Sequence, residues 1–171
     1  LLKEHVYLMM ACFRVGIIIA PLDLRLKTRE VLRCFESIRP KAYFFLGKTE
    51  VNDFRIIVAD VMEEYEDICK HWIQFDIFPH LIIKGAESIR TFAESIEKDY
   101  IGSILTGSVK AAIKKVDKRD PSLIIFTTGS TGYPKPAVLC QENILIQNIG
   151  ISVAFDIREE DRMCVNLPPS H

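Results

Sequence analysis

Residues 121–140 constrain this chain more than any other stretch. The apolar run Leu123-Ile124-Ile125-Phe126 leads into Thr127-Thr128-Gly129-Ser130-Thr131-Gly132-Tyr133-Pro134-Lys135, and Ala137-Val138-Leu139-Cys140 follows. Apolar runs bounded by Gly, Pro and hydroxyl residues read as strands. Lys135 precedes Pro136, and a residue ahead of proline is pushed into the extended region. The expectation is strand–loop–strand, with no helix dipole aimed at whatever the loop holds. Gly129 and Gly132 allow a tight turn and close approach of backbone to a ligand, and backbone N–H groups in such a turn can form an anion-binding nest. Thr127, Thr128, Ser130 and Thr131 add hydroxyls, able to donate to phosphate or to reach a magnesium ion. Lys135 brings a positive charge for a phosphoryl oxygen. This is the composition of a phosphate-holding loop, although not of a Walker A sequence, which would end Gly-Lys-Ser/Thr and open a helix.

Ile124 through Lys135 resembles the signature of the adenylate-forming superfamily, which includes acyl-CoA synthetases, peptide-synthetase adenylation domains and beetle luciferases. Two positions depart from that pattern: Pro136 stands where glycine is usual, and Gln141 where histidine is common. Three further segments are similar to the same family. Leu8 to Gly16, continuing to Ala20-Pro21-Leu22, resembles an upstream helix and strand. Thr28-Arg29-Glu30-Val31-Leu32 to Pro40-Lys41 resembles the next helix and the turn into a strand. Leu167-Pro168-Pro169-Ser170-His171 resembles a Leu-Pro-x-x-His turn. Similarity is strong over 121–143 and moderate over 5–46 and 162–171; no family motif is recognisable between 47 and 120.

The resemblance implies an α/β fold with a mainly parallel sheet and helices on both faces. It further implies that residues 1–171 are an incomplete fragment of the synthetase N-terminal AMP-binding domain, truncated at both ends, with the downstream part and the C-terminal domain absent. The implied activity is that of an ATP-dependent acid–thiol ligase. A substrate carboxylate attacks the α-phosphorus of ATP, giving an acyl-adenylate and pyrophosphate, and a thiol, most often coenzyme A, takes the acyl group. ATP, Mg2+ and coenzyme A are the implied cofactors, and a carboxylic acid, fatty acids included, is the implied substrate. Thr127, Thr128, Gly129, Ser130, Thr131, Gly132 and Lys135 would bind the nucleotide. Lys135 and Thr131, with Ser130, would meet charge on the departing pyrophosphate, and His171 would border the acyl pocket. Two other readings stay open: a non-catalytic nucleotide- or phosphate-binding module of the same fold, and a peptide-synthetase-type adenylation domain. A piece whose glycine-rich loop is only a turn is a third.

Composition bounds the rest. The chain has 171 residues, 49% hydrophobic and 26% charged, enough for one core. A net charge of −1 argues against a nucleic-acid surface, which needs a basic stripe. Lys114-Lys115-Val116-Asp117-Lys118-Arg119 is expected to be a solvated connector. Five cysteines without a C-x-x-C pair suggest reduced thiols in a cytosolic protein, with Cys12 and Cys34 in the core. No cysteine–histidine spacing suggests a metal site, and His5, His71 and His80 are scattered. The apolar stretch near residues 6–20 is broken by Arg14 and Gly16, so no spanning segment is expected. Strand edges and apolar faces left open by truncation would make the chain self-associate.

Periodicity predicts the elements. Leu2, Val6, Met9, Met10 and Phe13 recur at helical spacing in a segment apolar nearly all round, expected to be buried. A short buried strand, Ile17-Ile18-Ile19, should follow Gly16. Thr28 is the expected N-cap of a helix striped by Val31, Leu32, Phe35 and Ile38, and residues 42–46 should be a strand. Asp60 and Glu63 suggest a helix start, with Val61, Tyr65, Ile68 and Trp72 on one face. Leu81-Ile82-Ile83 reads as a strand, Ile89 to Ile96 as a helix, and 100–120 as a connector. Strands 122–127 and 137–140, a helix over 142–154 and a strand over 162–167 complete the reading.

Overall fold

The computed structural model describes residues 3–128 and 134–162. The chain forms two compact units, one from Leu1–Leu24, Ser108–Gly129 and Lys135–His171, the other chiefly from Arg25–Gly107. The fold class is α/β with a parallel sheet and helices, as expected.

In the Arg25–Gly107 unit, helix α2 (Thr28–Ile38) precedes strand β1 (Ala42–Phe45), α3 (Phe54–Tyr65) crosses over to β2 (His71–Gln74), and short β3 (Glu87–Ser88) runs into α4 (Ile89–Thr106). The sheet order is β1-β2-β3, all parallel, with Tyr43 opposite Trp72 and Phe44 opposite Ile73. Successive side chains on a strand face opposite sides, and the aromatic contacts follow that rule. Phe35 of α2 lies edge-on to Tyr43 at 5.0 Å, stacks on Trp72 at 5.8 Å and meets Tyr65 of α3 at 5.5 Å. Phe44, pointing the other way, meets Phe92 of α4 at 5.4 Å. Helices therefore cover both faces of this sheet, and Phe35, 1% exposed, is the centre of one side.

Helix ends follow local chemistry. The Glu30 carboxylate accepts the Lys27 N–H at 2.9 Å, which makes Lys27 rather than Thr28 the cap of α2. Helix α3 starts at Asp53, whose carboxylate accepts the Arg55 N–H and two guanidinium bonds at 2.8 and 2.6 Å. Asp60 thus sits inside the helix and caps nothing. Trp72 is not on α3 either: the helix ends at Tyr65, and Trp72 reaches Phe35 from β2, its indole N–H held by the Cys69 carbonyl at 2.9 Å. Apolar spacing ran unbroken across that boundary and concealed strand β2.

Leu81-Ile82-Ile83 is not a strand. Fully buried Gln74 donates to the Leu81 carbonyl at 2.9 Å and accepts the Ile83 N–H at 3.1 Å, so a side-chain amide takes the bonds a strand neighbour would have made. Gln74 also donates to Asp76 at 2.7 Å. A Cβ on Gly47 would collide with both groups, so a larger residue there would have to displace this pair. The connector expected at 100–120 is mostly helical: α4 continues to Thr106, Gly107 turns the chain at φ +66°, and α5 covers Ser108–Lys115. Its apolar residues Ile101, Ile104 and Leu105 are exposed, which is why no core stripe was recognisable.

In the other unit, α1 (Lys3–Val15) buries Cys12 but exposes Tyr7 and Met10, so the expected wholly buried helix is not found. Ile17 and Ile18 are exposed as well; Ile19 forms a single parallel bridge to Leu123. Cys12, Cys34 and Cys69 are buried free thiols, and burial pushes Cys34 and Cys69 up to about 11.

Two outcomes are expected. Phe35→Ala should lower the unfolding free energy by about 3–5 kcal/mol, read as a drop in the urea midpoint, whereas exposed Ile101→Ala should change it by no more than about 0.5 kcal/mol. The Arg55 hydrogen bonds, partly opposed by desolvation, hold Asp53 down from 3.8 to about 2. A depressed carboxyl stabilises the fold above its unfolded value, and that contribution is lost as pH falls through the folded one. Asp53→Asn, which keeps the cap, should therefore melt below wild type at pH 4–7 and converge with it near pH 2.

Candidate functional site

Strands β4 (Pro121–Thr128) and β5 (Pro134–Cys140) pair as a two-stranded sheet. The Ser122 hydroxyl donates to the Leu139 carbonyl at 3.2 Å, and the Thr127 hydroxyl to the Lys135 carbonyl at 3.4 Å. Numbers rise along one strand as they fall along the other, so the pair is an antiparallel hairpin. Lys135 is extended and exposed, on β5 across from Thr127. Thr128 ends β4. Gly129, Ser130, Thr131, Gly132 and His171 lie outside the described residues, as does the expected strand 162–167 beyond Arg162, which is in no regular element. Pro134 and Pro136 fall two residues apart, so both missing donors lie on one side of β5, which pairs with no other described strand.

The foot of the hairpin is tied at several points. The Ile19 N–H donates to the Ser122 carbonyl at 3.0 Å, and the Ile124 N–H to the Ile19 carbonyl at 2.9 Å. Ser122 is 1% exposed, its hydroxyl bonded across the hairpin. Helix α6 (Gln141–Ala154) follows β5 directly, and Asn143 Oδ1 accepts the Cys140 N–H at 3.0 Å at its start. Gln141 Nε2 donates to the Phe13 carbonyl of α1 at 2.8 Å.

Lys118 and Arg119 are exposed in the turn after α5, as expected of a solvated connector, and they are paired as well. Lys118 Nζ lies 2.5 Å and Arg119 Nε 2.9 Å from the Glu142 carboxylate, and the Glu142 N–H donates to the Lys118 carbonyl at 2.9 Å. These bonds hold the Glu142 carboxyl below its ordinary value, Lys118 first and Arg119 second, and hold Lys118 above its own. A carboxylate in the first turn of a helix is also favoured by the helix dipole. Sequence reasoning missed this clamp. Its signal was an acidic residue and an asparagine directly after a strand, the composition of a helix start.

The described part of the hairpin tip therefore offers a hydroxyl and an ammonium group on adjacent strands, both exposed, and no described carboxylate pairs with Lys135. Such groups fit phosphate oxygens, for which lysine acts as a mobile point charge. Among the described residues no group of three His, Cys, Asp or Glu side chains could hold a metal ion.

The chain is 24% identical over 170 residues to an indoleacetate–CoA ligase of Aromatoleum aromaticum, covering 98% of this chain and 29% of that protein. It is also 24% identical over 170 residues to long-chain fatty acid transport protein 6 of Homo sapiens, covering 98% of this chain and 24% of that one. The chain thus spans under a third of the length of these relatives. Its fold is similar to acetoacetyl-CoA synthetase from Streptomyces lividans, with a TM-score of 0.65 at 17% identity over 91% of this chain and 23% of that one. A red-emitting luciferase from Phrixothrix hirtus gives a TM-score of 0.61 at 19% identity, covering 89% and 26%. The family model for AMP-binding enzymes matches residues 2–171, and the chain belongs to that family.

Proposed function

We propose that this chain is part of an ATP-dependent acid–thiol ligase that forms an acyl-adenylate and then an acyl-CoA thioester. The observation that carries the reading is the hairpin, which presents Thr127 and Lys135 at a glycine-rich loop within a chain matched along 2–171 by the AMP-binding family. A carboxylate oxygen of the acid attacks the α-phosphorus and the α–β phosphoanhydride bond breaks. Pyrophosphate leaves, and the coenzyme A sulfur then displaces AMP from the acyl carbon. The protein's part in the first step is positioning and charge stabilisation rather than covalent catalysis. In this reading Lys135 meets charge on the departing pyrophosphate with Ser130 and Thr131, Thr127 and Thr128 add hydroxyls, and Gly129 and Gly132 shape the loop. His171 borders the acyl pocket. Magnesium would be held largely by the nucleotide's own phosphates, as is usual for that ion. The carboxylic acid, fatty acids included, and coenzyme A are the partners, and the site of action is cytosolic. No described helix is long and apolar enough to cross a membrane.

Self-association belongs to the same reading. Leu145, Ile146, Ile149 and Val153 of α6 are exposed at helical spacing, an apolar face of the kind that drives association. Sedimentation of the 171-residue chain should show a mass that grows with concentration, and a monomeric mass throughout would count against it.

The functional test is single-turnover adenylate formation by the complete gene product at saturating ATP. Lys135→Ala removes a charge-assisted hydrogen bond worth roughly 1.5–3 kcal/mol, so the rate should fall about ten- to two-hundred-fold, the lower end if water substitutes. Acid binding should change less than the rate. An unchanged rate in a folded variant would make Lys135 a surface residue and overturn the assignment.

A further inference from the structure

We propose that Gln141 is a positioning residue for the phosphate-holding hairpin, and this rests on the reading just given. Residue 141 is the first of α6 and follows β5 without a linker. Its side-chain amide crosses 128 positions of sequence to donate to the Phe13 carbonyl at 2.8 Å, in a half-buried setting. Phe13 lies in the last turn of α1, where carbonyls have no partner within the helix. Gln141 therefore satisfies an orphan acceptor and fastens the end of β5 to α1 with one bond.

The fastening matters because of leverage. Strand β5 has seven residues, so at about 3.4 Å per residue Lys135 and Pro134 stand roughly 17–20 Å from that anchor. A tilt of about 3° at the foot moves the tip by about 1 Å, and misplacement of that size can cost on the order of a hundredfold in rate. A two-stranded ribbon has little stiffness of its own. The bond to Phe13 and the Glu142 clamp hold the two sides of the β5–α6 junction: one reaches α1, the other reaches the 118–119 turn. Gln141 is uncharged, so its hold does not titrate.

The test uses four versions of the complete gene product. Gln141→Met keeps length and helix propensity but has no donor. Gln141→Lys restores a donor, well placed at a helix C-terminus. Gln141→Glu donates only when protonated. At saturating ATP, Gln141→Met should form adenylate about five- to thirtyfold more slowly, with the apparent affinity for ATP changed less than threefold, since the loss falls on transition-state alignment. Gln141→Lys should recover to within about threefold of wild type. Gln141→Glu should be fastest at low pH and slow as its carboxyl ionises, a dependence absent from wild type. Hydrogen exchange at the β4 and β5 amides, which needs no activity, should quicken in Gln141→Met and return in Gln141→Lys. If exchange is unchanged in Gln141→Met, the positioning role fails whether or not the protein makes adenylate. Equal slowing by Met and Lys would overturn it as well. If exchange responds as expected but wild type makes no adenylate, the mechanical role stands and the ligase reading is what falls.

Discussion

A pair of antiparallel strands has little stiffness of its own, and the structure depends on how that weakness is met. The hairpin of β4 and β5 is made firm from its base. Ile19 adds a parallel backbone bridge to β4, Ser122 ties the two strands together from a buried position, and α6 starts with no slack after Cys140. Under the proposed function, what the tip could offer a phosphate follows from this arrangement. A lysine in an extended strand, next to proline and opposite a threonine, has few backbone options left.

The other unit solves a different problem. Three parallel strands with short partners need both faces covered to be stable, and the alternation of Tyr43 and Phe44 sends one ring toward α2 and the next toward α4. Phe35 gathers three rings around itself in edge-on and stacked geometries that favour the ring quadrupoles. Gln74 completes the sheet end, its amide standing in for backbone.

Much of this was legible in the residues. The hairpin was, because Gly, Pro and hydroxyl residues bracket two apolar runs and proline fixes what Lys135 can do. Helix α2 was, because Val31 and Phe35 form a true stripe beside buried Cys34. Strand β2 was hidden because Trp72 continues the helical spacing of Val61 and Tyr65, and no glycine or proline marks the break. The strand expected at Leu81 was an illusion: its apolar residues suit a strand, but their backbone partner is a glutamine side chain that no local pattern reveals. Helix α5 was missed because it is only eight residues long, and half-buried Ala112 and Ile113 are too few to mark a stripe. At the candidate site, the residue types were readable, whereas the ties at the hairpin foot were not. Gln141 and Phe13 are 128 positions apart, and only the folded chain brings them together.

Those ties differ in their response to ionic strength. Lys118 and Arg119 have side chains 66% and 76% exposed, so their attraction to Glu142 is open to screening by dissolved ions. The Debye length shrinks from about 10 Å at 0.1 M to about 3 Å at 1 M. The amide of Gln141, the hydroxyl of Ser122 and the backbone bridge at Ile19 are neutral and keep their hold. In dilute buffer the foot of the hairpin is held by charge and by dipoles together; in concentrated salt the neutral bonds carry a larger share.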